Sequence, residues 1–207
     1  INRVLRKHEY LSVRIEDGRE YLDTGKSAAF AVPDHQVAHV YVRDEVCISK
    51  VATLLRETEG IEFVYVGNDR GQLCHERSGD IVIVSEKDKW FSHDWWDSPE
   101  CAPDYQATVD IHKKPGYDPR ELILESGWRG SKTRIALKLL MKKFGQRTLF
   151  DVITLDATKV KGSHGRTPSM GAPSPLLIYP SCAQDAKKVP HSLPCAALNN
   201  LFLGWVT

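Results

Sequence analysis

Residues 37–67 read VAHVYVRDEVCISKVATLLRETEGIEFVYVG, and their implied order of strand, helix and strand decides the fold class. VAHVYV is β-branched and apolar, the composition of a central strand. Ser49 is placed to cap a helix through KVATLLRETEG, with Val51, Leu54 and Leu55 on one face and Gly60 as the stop. IEFVYVG then returns as a nearly continuous apolar strand, the kind that is covered on both faces. Strand, helix and strand within about thirty residues form a βαβ unit, which predicts a right-handed crossover and parallel strands.

Toward the N-terminus, LSVRI (11–15) alternates apolar and polar residues and runs into the turn signal DGRE, which predicts a β-hairpin. Ile1, Val4 and Leu5 already follow a helical period. SAAFAVPDHQ reads as buried extended chain interrupted at Pro33, Asp34, His35 and Gln36. Toward the C-terminus, Ile81 to Val84 is a further strand, and Trp90, Phe91, Trp95 and Trp96 read as a packed aromatic cluster rather than a base-stacking platform. Ser131 opens a basic amphipathic helix, KTRIALKLLMKKFG, whose Ile135, Leu139, Leu140 and Phe144 are expected to face the core, with the lysines in solvent. Beyond Thr167 the chain is rich in Pro, Gly and Ser, with one strand-like piece, LLIY (176–179), and a closing helix expected after Pro194.

Composition excludes several classes. In 207 residues, 28 Lys and Arg balance 27 Asp and Glu, a net charge of +1, which lacks the global field of a nucleic-acid binder or of a protein drawn to anionic membranes. Five cysteines, at 47, 74, 101, 182 and 195, are odd in number and form no CxxC pair, against a disulfide framework or zinc knuckle and in favour of a reducing compartment. No stretch approaches the roughly 20 apolar residues of a membrane span and no leader opens the chain, so a cytoplasmic protein without nucleic-acid or membrane partners is expected. The sequence also contains no Walker loop, GxSxG elbow, HExxH helix or GxGxxG turn.

Three places carry imidazoles in the company that metal chemistry needs. In PDHQVAH, Asp34, His35 and His39 stand at the mouth of a strand. In TVDIHKKPGYDP, Asp110 and His112 are two residues apart and share one face of an extended segment. In KGSHGR (161–166), glycines flank His164 and would let a tight loop carry the ring close to another group. Imidazole with carboxylate suits zinc, iron or manganese. Each pair, taken singly, is also consistent with a hydrogen-bonded structural histidine. The lysines of KKPGYDP fit an anion site or a solvated turn.

RSGDIV, DIHKKPGYDP and KGSHGR, in this order with TLFDVITLDATKV and the late PLLI, make the chain resemble the C-terminal half of the type I phosphodiesterase and nucleotide pyrophosphatase family of the alkaline-phosphatase-like superfamily. The resemblance implies an α/β fold with a mixed, mostly parallel sheet flanked by helices, residues 1–207 being the C-terminal part of a single such domain that is incomplete at its N-terminus. It implies two divalent ions, usually zinc, and hydrolysis of a phosphodiester or pyrophosphate bond in a small phosphate-ester or nucleotide-like substrate. The Thr or Ser nucleophile is expected upstream of Ile1, in an N-terminal half with which this chain would associate. His164 with Gly165 matches a late His-Gly metal loop. Asp34, His35, His39, Asp110 and His112 are candidate ligands by chemistry rather than by motif, and Lys161 or Arg166 would steady phosphate oxygens. The competing reading is a non-catalytic interaction or scaffold domain derived from that enzyme.

Overall fold

A computed structural model describes residues 1–114, 116 and 118–167, together with Ile178 and Ala197. The chain divides into two compact units, 1–166 and 167–207; the LLIY piece, apart from Ile178, and the closing helix lie outside the described residues.

Unit 1–166 begins with a short helix, α1 (Asn2–Lys7), followed by a hairpin of β1 (Val13–Glu16) and β2 (Arg19–Leu22). Asp17 and Gly18 both have positive φ at its turn, matching the twist of the two strands. A second sheet holds β3 (Ala29–Asp34), β4 (Val37–Val42), β5 (Ile61–Val66) and β6 (Ile81–Ser85) in the order β3-β4-β6-β5. Helix α2 (Glu45–Arg56) joins β4 to β5.

Every pairing in these sheets is antiparallel, which corrects the expectation of a mostly parallel sheet. The strand-helix-strand unit is present and β4 and β5 run in the same direction, but β6 lies between them and pairs antiparallel with each. The helix sets the direction of β5 and leaves a gap one strand wide, which the later IVIVS segment fills. β4 is an interior strand, with Ala38, Val40 and Val42 on its buried side. Ile81, Val82 and Ile83 of β6 are buried on both faces. Helix α2 starts a turn before Ser49, because the Asp44 carboxylate accepts from Val46 N at 3.1 Å and Asp44 is the cap. Its Val51, Ala52 and Leu55 join Leu5, the strand residues, Phe91, Trp95 and Trp96 in one core. The tryptophans pack edge to face with centroids 5.3 Å apart, and Trp95 Nε1 donates to the Glu20 carbonyl at 2.9 Å, as a packed aromatic cluster requires.

The sheet's two margins differ. Along β3 the outward groups are already occupied: Ala29 N donates to Tyr10 O, the Asn2 side chain both accepts from Ala31 N at 2.8 Å and donates to Ala31 O at 2.9 Å, and Pro33 has no N–H. Among the described residues no strand pairs with the outer side of β5.

Helix α3 (Lys132–Lys143) is capped by Ser131 as its sequence predicts, yet it packs the other way round. Arg134 and Lys138 point inward and pair with Asp151 at 3.0 and 2.5 Å, whereas Leu139, Leu140 and Phe144, expected in the core, are exposed. Asp151 belongs to a short extended segment bridged to Thr108 and, at Ile153, to Leu124. Asp151 thus meets the cationic side of α3, and Leu139, Leu140 and Phe144 stay outside the core.

Candidate metal centre

The β3-β4 connection is a two-residue turn, His35–Gln36, with Asp34 as the last residue of its first strand. His35 has φ of 57°, a left-handed conformation that costs a non-glycine residue about 1 kcal/mol or more. Several hydrogen bonds fix the turn there. Phe91 N donates to His35 O at 2.8 Å, Ser85 N donates to Gln36 O at 2.9 Å, and the Gln36 side-chain amide donates to the carbonyls of Lys87 and Lys89 at 3.0 and 3.1 Å.

The KGSHGR loop crosses the same end of the sheet. Gln36 N donates to His164 O at 2.9 Å, and Arg166 donates to Ser85 O at 2.9 Å while pairing with Glu62 on β5. Gly165 has φ of 107°, and a Cβ there would lie 3.3 Å from Val37 Cγ2 and 3.4 Å from Asp34 O. Only glycine follows this path against the turn. Gly162 has open space around it and carries no such requirement.

Together these two turns bring Asp34, His35 and His164 into one cluster, with one ligand atom of each within 4.8 Å of the others. The two imidazoles stack with centroids 3.8 Å apart and planes 23° from parallel. Ser163 Oγ lies 3.2 Å from His35 Nδ1 and fixes that ring's orientation, the arrangement common around metal-bound histidine. Burial first, and then the neighbouring His164, lower the His35 pKa against the opposing pull of Asp34 and Asp118, so the ring stays neutral, the form that binds metal. One carboxylate and two imidazoles form a donor set that fits a divalent ion of the zinc, iron or manganese type.

The other expected site residues stand apart from this cluster. His39, in the middle of β4, accepts from Gly79 N at 3.2 Å through Nδ1. Asp110 pairs with Lys113 at 3.3 Å and His112 is exposed in the following turn. Arg166 is engaged by Glu62. Lys161 lines a cleft of about 310 Å³ with Gln36, Lys87, Lys89, Trp90 and Ser163, so it opens beside the cluster.

Beneath lies a layer that the sequence reading did not place. Arg120 is buried and bonds Asp118 at 2.7 Å as well as Asp94. Burial alone would disfavour its cation; the hydrogen bonds and charges of Asp118 and Asp94 reverse this and hold Arg120 protonated. Burial likewise raises the Asp118 pKa, and the Arg120 hydrogen bonds overcome it to leave Asp118 ionised. Gly116 of the KKPGYDP turn sits on buried His93, where a Cβ would come within 2.7 Å of the ring and 3.2 Å of Pro33 O. That motif thus braces the backbone one residue before Asp34. Its two-residue spacing of Asp118 and Arg120, and the adjacent His93 and Asp94, were the available signals.

No family model, curated protein or solved structure matches the chain. Among the described residues no helix is long and apolar enough to cross a membrane, and Cys47, Cys74 and Cys101 are free thiols.

Proposed function

We propose that the chain is a metal-dependent hydrolase of phosphodiester or pyrophosphate bonds, with Asp34, His35 and His164 as ligands of a divalent ion, zinc in the first instance. The reading rests on one observation: residues about 130 apart in sequence present a carboxylate and two imidazoles within 4.8 Å, on turns whose backbone is otherwise strained or restricted to glycine. An ion held there would supply a Lewis acid for a phosphoryl oxygen and lower the pKa of a bound hydroxyl or water. The protein's own groups do the rest. Asp34 contributes the negative charge that selects a cation, and Ser163 holds the His35 ring in place. Lys161 and Lys87 give the adjoining cleft the positive charge that receives a phosphate ester, and Trp90 offers an aromatic wall for a nucleotide-like group.

Metal content and hydrolysis of a nitrophenyl phosphodiester test this. The wild-type chain is expected to retain a divalent ion after gel filtration, and His164→Ala to lose it while keeping its far-ultraviolet circular dichroism. Equal metal content in the two proteins rules out the ligand role. A second reading, a non-catalytic interaction domain, is favoured by the outward apolar side of α3, and it predicts no bound metal in either protein.

A further inference from the structure

From residue 127 to residue 150 the chain carries seven Lys and Arg and no Asp or Glu, within a protein whose net charge is only +1. Two of the seven, Arg134 and Lys138, are spent on Asp151. Arg129, Lys132, Lys142, Lys143 and Arg147 are exposed and make no ion pair among the described residues. Leu137, Leu140 and Phe144 follow one another at intervals of three and four, so they form a single stripe on α3, and they are 52%, 50% and 75% exposed. Trp128, just before the Ser131 cap, is 67% exposed. Beside the end of the helix lies a cleft of about 440 Å³ whose wall includes Lys113, Lys142 and Arg147, with Asp110 its one acid.

We infer that α3 is a peripheral membrane-binding element, which lays its Leu137-Leu140-Phe144 stripe into the headgroup boundary of an anionic bilayer while Lys132 and Lys143 beside the stripe, with Arg129 and Arg147 beyond the helix ends, contact lipid phosphates. A helix that presents Phe and Leu on one side, with an exposed Trp just before it and Lys and Arg but no acid along it, matches that boundary in both polarity and charge. The ion-paired side of α3 is already occupied by the protein, so the apolar side remains outward when the helix lies flat. A second copy of the same face is disfavoured by repulsion between two acid-free surfaces, and an uncharged partner leaves the five cations unanswered. The cleft at Lys113, Lys142 and Arg147 adds a cationic recess at the C-terminal end of the helix, on the side of Arg134 and Lys138. This inference is independent of the metal-centre reading.

The full chain is to be sedimented with vesicles of phosphatidylcholine alone and with vesicles containing about one third phosphatidylserine. Partitioning is expected to be at least about tenfold stronger onto the anionic vesicles and to weaken with added salt. Leu140→Ser with Phe144→Ser should abolish it. Lys143→Ala and Arg147→Ala should each reduce it about fivefold. All four positions are exposed, so circular dichroism should be unchanged. Equal partitioning onto both vesicle types, or onto neither, overturns the inference. So does a dimer in lipid-free ultracentrifugation that the Leu140→Ser, Phe144→Ser protein no longer forms, since the stripe would then belong to a second copy.

Discussion

Gly165 is the residue on which the Asp34-His35-His164 cluster most depends without belonging to it. Its positive φ strains any side chain and its close approach to Val37 and Asp34 crowds one, so Gly165→Ala is expected to cost about 1–3 kcal/mol and to release His164 from the turn. Gly162→Ala should be neutral. Urea unfolding midpoints and metal content of the two variants check this, and equal behaviour would show that the loop path is not set by position 165. The same two glycines show how far the site could be read in advance. KGSHGR points to His164 because glycine beside histidine is a backbone signal legible without a structure, and the fold brings that residue to Asp34 and His35. Asp34 and His35 were nominated with His39, and nothing in PDHQVAH separates them: that distinction arises from the two-residue turn, which leaves His35 at the sheet's end and His39 in mid-strand. The spacing of Asp118 and Arg120 hints at a local pair, but their joining with Asp94 is not legible, because Asp94 is 26 residues away from Arg120.

At the scale of the element, the β3 margin is sealed by one side chain. Asn2 matches the donor and acceptor of Ala31 as a neighbouring strand would, and both groups are buried. Asn2→Ala leaves them without that partner and should lower stability by about 1–3 kcal/mol, measurable by urea denaturation; a change under about 0.5 kcal/mol means that water replaces the amide. Elements whose signal is local were legible: the DGRE hairpin, the VAHVYV strand, IVIVS and the Ser131 cap. Two features were not. The sheet's antiparallel order depends on where a later strand inserts, and periodicity within β4 or β5 carries no information about that. The side of α3 that faces inward carries Arg134 and Lys138 on Asp151, a partner beyond the helix that the hydrophobic pattern within it does not reveal.

For the whole molecule, protons act on stability through both histidines of the β3-β4 hairpin. Burial first lowers the pKa of each, with His164 adding to the effect at His35 and Arg70 at His39. The unfolded chain therefore takes up protons first, near pH 6.5, and stability complete above that value is lost as pH falls through the lower folded values. The urea midpoint should fall between about pH 8 and about pH 5, and less steeply in His39→Gln, whose amide oxygen can still accept from Gly79 N. An unchanged slope would place the titrating groups elsewhere. Glu20, Asp118 and Asp151, whose pKa values are depressed by their arginine and lysine partners, add a further loss at lower pH. The contrast between the sheet's margins has its own outcome in crowded solution. Among the described residues the four-stranded sheet leaves one margin open to strand addition, the outer side of β5, because proline and the Asn2 amide shut the other. Two molecules joined there use up that margin in each other, so growth through this sheet ends at a pair instead of running on into a fibre.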